Sequence, residues 1–96
     1  MPKAIWNGVV IAEASDSAVE IVEGNVYFPL VAVHQEYLQS SDKVTQCHWK
    51  GSASYFNIVV NGQTNGDAAW TYRRPLDAAK QIANYIAFWR GVKIEN

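Results

Sequence analysis

Ninety-six residues leave room for one domain and one core, with no linker between two units. Hydrophobic residues make up 49% of the chain and charged residues 18%, proportions of a globular protein that exclude disordered and fibrous classes. The net charge of −1 comes from interspersed acids and bases with no basic stripe, which argues against nucleic-acid binding, and no apolar run approaches the roughly 20 residues of a membrane span.

Met1-Pro2-Lys3-Ala4 lacks the apolar stretch of a signal peptide, so cytoplasm is the expected compartment. Asn7-Gly8 then divides Ala4-Ile5-Trp6 from Val9-Val10-Ile11. Both turn residues tolerate positive φ, so the stretch predicts a tight hairpin. Ser15-Asp16-Ser17 breaks the chain before a strand over Ala18–Val22, and Gly24-Asn25 precedes another over Val26-Tyr27-Phe28, which Pro29 ends. Val31, His34, Tyr37 and Leu38 fall at helical spacing over two turns, predicting a short helix or turn followed by a loop at Ser40-Ser41-Asp42. Ser52–Val60 alternates as a strand, with Phe56, Ile58 and Val60 on one face and Tyr55, Asn57 and Val59 on the other. Asn61-Gly62 and Asn65-Gly66 are expected in the connection to a partner strand over Ala68–Tyr72. Arg73-Arg74-Pro75 breaks the sheet, and Leu76, Ala79, Ile82, Ala83 and Ile86 follow a helical period. Ile86–Trp89 and Val92–Ile94 read as closing strands around Gly91. The sum is a mainly β domain of short antiparallel strands with one or two short helices.

Two stretches concentrate reactive side chains. Cys47-His48-Trp49-Lys50-Gly51 holds the single cysteine, which excludes an intramolecular disulfide and any multi-cysteine zinc site. A nucleophilic Cys47 needs a base or cation nearby, and His48 and Lys50 are adjacent in sequence. In an extended segment, however, Cys47 and Trp49 face one way and His48 and Lys50 the other, which leaves His34 as the alternative base. Free cysteine is also commonly buried, so packing competes with reactivity. Lys50 either meets an anionic group or is a solvated lysine at a strand edge; Gly51 permits a bulge or a close backbone approach to a ligand. His34 and His48 are too few for a metal site unless carboxylates such as Glu23, Glu36 or Asp67 complete it, and nothing in their spacing asks for that.

Asp67-Ala68-Ala69-Trp70-Thr71-Tyr72 is the second stretch. Trp70 and Tyr72 share a strand face with space beside them at Ala68, an arrangement suited either to a pocket wall or to a packed core. Asp67 is either an acid or base group or a turn residue beside Gly66. Four Trp, five Tyr and three Phe exceed what a single small core accommodates, so some rings are expected to line a cleft.

Phe28-Pro29, Cys47-x-Trp49-Lys50-Gly51 running into Ala53-x-Tyr55, Asp67-Ala68-Ala69-Trp70-x-Tyr72, Pro75 and Ala87-Phe88 together resemble the family of small domains named domain of unknown function four hundred and twenty-seven. The resemblance covers nearly the whole chain. One departure is His48, where the family commonly carries proline, which relaxes the backbone beside Cys47. The resemblance implies a compact domain of strongly curved strands, tent-like (Mss4-like) in architecture. The zinc of such folds does not transfer to a chain with one cysteine. The family also carries a nucleotidyltransferase-like label. Gly51-Ser52 matches half of that signature, but no Asp-x-Asp pair follows to hold magnesium against phosphates, so the label is not adopted.

The leading expectation is a small soluble domain that binds an organic ligand without cofactor or metal. Cys47, Trp49, Lys50 and Gly51 would form one side of an aromatic-lined cleft and Trp70 and Tyr72 the other, with Tyr27 or Trp6 nearby and Lys50 and Asp67 supplying polar contacts. Two alternatives stand beside it. One is an enzyme with Cys47 as nucleophile or redox centre; the other is an interaction module whose sheet edge or aromatic patch pairs with itself or another protein.

Overall fold

In the computed structural model, which describes residues 1–96, short antiparallel strands carry nearly all the regular structure. Asn7 and Gly8 both adopt positive φ, closing β1 (Lys3–Trp6) onto β2 (Val9–Glu13) as their sequence predicts. Glu23 and Gly24 do the same between β3 (Glu20–Val22) and β4 (Asn25–Tyr27). Two single 3₁₀ turns, Leu30–Ala32 and Gln35–Tyr37, follow Pro29. The long central hairpins comprise β5 (Leu38–Cys47), β6 (Gly51–Val60) and β7 (Gln63–Thr71). A 3₁₀ segment, Asp77–Ile82, and strands β8 (Ile86–Phe88) and β9 (Lys93–Glu95) complete the chain.

The strands form a four-stranded sheet β5-β6-β7-β8, a three-stranded sheet β2-β1-β9 and the β3-β4 hairpin. Paired backbone bonds between Phe28 and Ile86, both 2.8 Å, dock the end of β4 beside β8. This contact lays the hairpin against the four-stranded sheet, and that placement builds the site described below.

Side-chain alternation then creates two apolar clusters instead of the single core expected. In the inner cluster, Phe56, Ile58 and Val60 of β6, with Ala69, Ile86 and Phe88, pack toward Ala4, Ile11 and Ala12 of the three-stranded sheet. In the outer cluster, on the opposite face, Ala53 and Ala87 pack with Tyr27, Tyr72, Ala79 and Ile82, and Tyr55 and Trp70 border them. Tyr27 and Phe28 are both fully buried, one in each cluster, because adjacent residues of a strand point to opposite faces.

Several expectations are corrected. The polar run Ser40-Ser41-Asp42 is not a loop: it lies within β5, where the register with β6 shifts between Ser40 and Val44. Asn65-Gly66 is likewise inside β7, at a second register shift opposite Asn57. There Asp67 takes φ 55°, and its N–H donates to the Asn57 Oδ1 at 2.9 Å. Turn-forming residues in both places serve bulges that bend a continuing strand. The segment near residue 80 is a 3₁₀ helix, broken at Ala79, and buries Ala79 and Ile82 at the three-residue spacing that this helix aligns.

Candidate functional site

The rings on the outer-cluster face of the four-stranded sheet are brought together by register. Tyr55 of β6 stands directly opposite Trp70 of β7, and Trp70 opposite Ala87 of β8, so the small Ala87 leaves room beside the indole. Two residues beyond Ala87, Trp89 returns to the same side, its ring centroid 5.8 Å from that of Trp70 at 82°. Tyr55 lies 6.4 Å from Trp70 and 6.5 Å from Trp89. The edge-on Trp70–Trp89 pair has a favoured geometry for aromatic rings, and the tilted Tyr55 pairs lie within the same range of centroid distances. With Tyr72, Lys50 and Asn25 the three rings surround a cleft of about 290 Å³.

Hydrogen bonds pin the walls. Trp70 Nε1 donates to the Tyr27 hydroxyl at 3.2 Å, which ties β7 to the β3-β4 hairpin. The Tyr55 hydroxyl shares a bond of 3.0 Å with Thr45 Oγ1 on the edge strand. Trp89 Nε1 donates to the Asp67 carbonyl at 2.6 Å, so the bulge at Asp67 holds the outermost ring.

Lys50 supplies the charge. Cys47 pairs with Gly51, and His48-Trp49-Lys50 form the turn between β5 and β6 rather than an extended segment. The turn directs Lys50 inward, where it is only 6% exposed. Its ammonium pairs with the Glu23 carboxylate on the opposing hairpin and lies 5.3 Å from the Trp49 ring and 5.4 Å from that of Tyr72. Burial pulls the Lys50 pKa down, but the Glu23 hydrogen bond and the Tyr27 and Tyr72 phenols outweigh it, leaving a net rise above 10.5. The Lys50 hydrogen bond and charge hold Glu23 below 4.5, and Trp49 and His48 act in the same direction. Burial raises the Tyr72 pKa above 10.0 against the opposing effect of Lys50, so this phenol stays protonated at neutral pH.

The residues singled out in the sequence fall in different places. Lys50, Trp70 and Tyr72 line the cleft, while Tyr27 stands behind Trp70 as its hydrogen-bond acceptor. Trp49 and Cys47 border the adjoining apolar cluster and do not line the cleft. Gly51, at φ 107°, approaches the chain itself: a Cβ there would meet Leu76 N at 3.5 Å and Arg74 O at 3.7 Å. Asp67 is turned away, its carboxylate accepting from the Ser41 hydroxyl. Trp6 closes the first hairpin and packs against the inner cluster, because β1 belongs to the other sheet. Ala68 also joins the inner cluster, so Ala87 provides the space beside Trp70. His48 is exposed, and His34 meets Tyr37 edge-on at 6.4 Å while its backbone N–H donates to the Ile11 carbonyl. No three His, Cys, Asp or Glu side chains cluster as metal ligands.

To the expected cleft residues the structure adds Asn25, Tyr55 and Trp89 in the wall and Glu23 on Lys50. Tyr55 carried one usable signal, its alternation with Ala53 along β6. Counting back from the Asn61-Gly62 turn pairs Tyr55 with Ala68, however, and only the bulge moves it opposite Trp70.

A second cavity of about 190 Å³ lies on the other face of β7, lined by Gln35, Thr71, Arg73 and Asn84 among others. Thr71 Oγ1 is buried there without a hydrogen-bond partner. No helix is long and apolar enough to cross a membrane.

No curated protein matches the chain. Residues 2–96, nearly its whole length, match the family described as Domain of unknown function (DUF427), in agreement with the signature read from Phe28-Pro29 through Ala87-Phe88. The chain therefore belongs to the DUF427 family.

Proposed function

We propose that this protein binds a small, planar organic molecule in the cleft walled by Tyr55, Trp70, Tyr72 and Trp89. The observation that carries the reading is the convergence of those rings with Lys50 and Asn25 around about 290 Å³. Small-molecule sites are concave and largely apolar, with a few polar groups to orient the guest. Trp89, at 40% exposed, is a large ring left facing solvent at the mouth, where a ligand would cover it. The half-buried free thiol of Cys47 suits a reducing compartment, and the proposed setting is the cytoplasm.

The four indole N–H groups give a direct test. Titration with naphthalene-2-carboxamide should move the NMR signals of Trp70 and Trp89 saturably while Trp6, in the other sheet, stays still. Trp89→Ala should weaken binding by about tenfold and leave the fold unchanged, since half-covered aromatic anchors contribute on that scale. Linear shifts without saturation, or equal movement of Trp6, would remove the cleft as a binding site.

A further inference from the structure

We infer that the molecule held in the cleft is an aromatic carboxylate, a conclusion that rests on the cleft being a binding site. The charges around the rings are positive. Lys50 is in the wall, Lys43 Nζ stands 4.9 Å from the Tyr55 centroid and 5.6 Å from that of Trp89, and the Arg90 guanidinium lies 4.7 Å from Trp89. None of the six lining residues is acidic. Two carboxylates that adjoin the wall are engaged, Glu23 with Lys50 and Asp67 with Ser41, and neither Lys43 nor Arg90 takes part in any of the three ion pairs of the protein. A chain of net charge −1 thus sets two cations outside any ion pair against the rings of the wall, beside the Lys50–Glu23 pair.

That field opposes a cationic guest, and the ring faces that would receive one already carry Lys43 and Arg90. Among anions, geometry favours a carboxylate over a phosphate. Phosphate sites use converging backbone N–H groups at a glycine-rich loop or helix start, or the fork of an arginine in the wall. This wall offers one ammonium. A volume of about 290 Å³ equals roughly ten water molecules, the size of a two-ring acid.

Glu23 is the built-in competitor. Its side chain is 53% exposed on the β3-β4 turn while that of Lys50 is 7% exposed. A ligand carboxylate can therefore replace Glu23 on Lys50, with Glu23 released to water and the buried ammonium never left unpaired.

The test uses one ring system with three head groups: 2-naphthoate, naphthalene-2-carboxamide and 2-naphthylmethylammonium, titrated calorimetrically into the full chain at low salt. The carboxylate should bind at least about tenfold more tightly than the amide, as a charge-assisted contact predicts, and the ammonium most weakly. Lys50→Met should remove the preference for carboxylate over amide. Glu23→Gln, on the exposed partner, tests the same point without removing the buried lysine and should tighten naphthoate binding by about threefold or more. The inference is overturned if amide or ammonium binds as well as naphthoate, or if Glu23→Gln leaves naphthoate affinity unchanged. Binding of all three without charge preference would overturn the carboxylate alone, whereas binding of none would overturn the cleft reading with it.

Discussion

Thr71 and Lys50 carry opposite lessons about polar groups in a small β domain. Lys50 is buried but satisfied, with a carboxylate and two ring faces around its ammonium. Thr71 sits between Ser54 and Ile86 in the sheet, 3% exposed, and its hydroxyl, at the second cavity, has no hydrogen-bond partner within the protein. A buried hydroxyl without a partner costs about 1–3 kcal/mol, and Val keeps the same branched shape in the strand. Thr71→Val should therefore raise stability by about 1 kcal/mol in urea unfolding, with an unchanged m-value. A loss of stability would mean that water or a ligand satisfies that hydroxyl in solution. The sequence left Lys50 open between an anionic partner and solvent, and the turn at His48-Trp49-Lys50 decides for the partner by pointing it inward to Glu23.

At the scale of elements, the β6-β7 hairpin decides the site. Its two-residue turn is Asn61-Gly62, both at positive φ, where the sequence predicts a longer connection that also takes in Asn65-Gly66. The bulge that follows was hidden, because Asn65-Gly66-Asp67 looks like a second turn. Asp67 holds it through three contacts: its N–H to Asn57, its carboxylate to Ser41 and its carbonyl to the Trp89 indole. A left-handed backbone suits Asp and Asn far better than other residues with a Cβ. Asp67→Ala should lower stability by about 1–3 kcal/mol and shift the Trp89 indole signal, whereas Asp67→Asn should retain most of both. Equal behaviour of the two variants would show that backbone conformation at this position does not govern the bulge. The β5 bulge has a related effect, since it places Lys43 over the rings of Tyr55 and Trp89.

Across the whole molecule, Lys50–Glu23 is the ion pair that joins separate sheets, the others lying within β1-β2 and within β9. Its pH dependence has two limbs. Glu23 is held below 4.5, so its contribution is complete above that value and disappears as pH falls through the carboxylate range. Lys50 is raised above 10.5, so its contribution is complete below that value and is lost as pH rises further. Between these limits the link should be constant. The Tm difference between the native chain and Glu23→Gln should accordingly be level near neutrality and shrink below about pH 4.5. Added salt should reduce it too, because the Glu23 end is exposed. A difference independent of pH would assign the effect to something other than the ion pair.

The sequence by itself determined the class of fold, the hairpin at Asn7-Gly8, the pairing of the Ser52–Val60 strand with the strand that carries Trp70, and the family. These follow from local rules: alternation with period two, positive φ at particular residues, and motif spacing. Only the tertiary structure decided that Trp6 packs away from the cleft, that Glu23 reaches Lys50, and that Tyr55 and Trp89 complete the wall. Two bulges shift the strand register, and the Phe28–Ile86 bridge lays one hairpin beside another sheet. Neither is marked by a local sequence period: a bulge shows only in how a strand pairs with its neighbour, and the bridge joins residues far apart in the chain, so both are fixed by tertiary pairing.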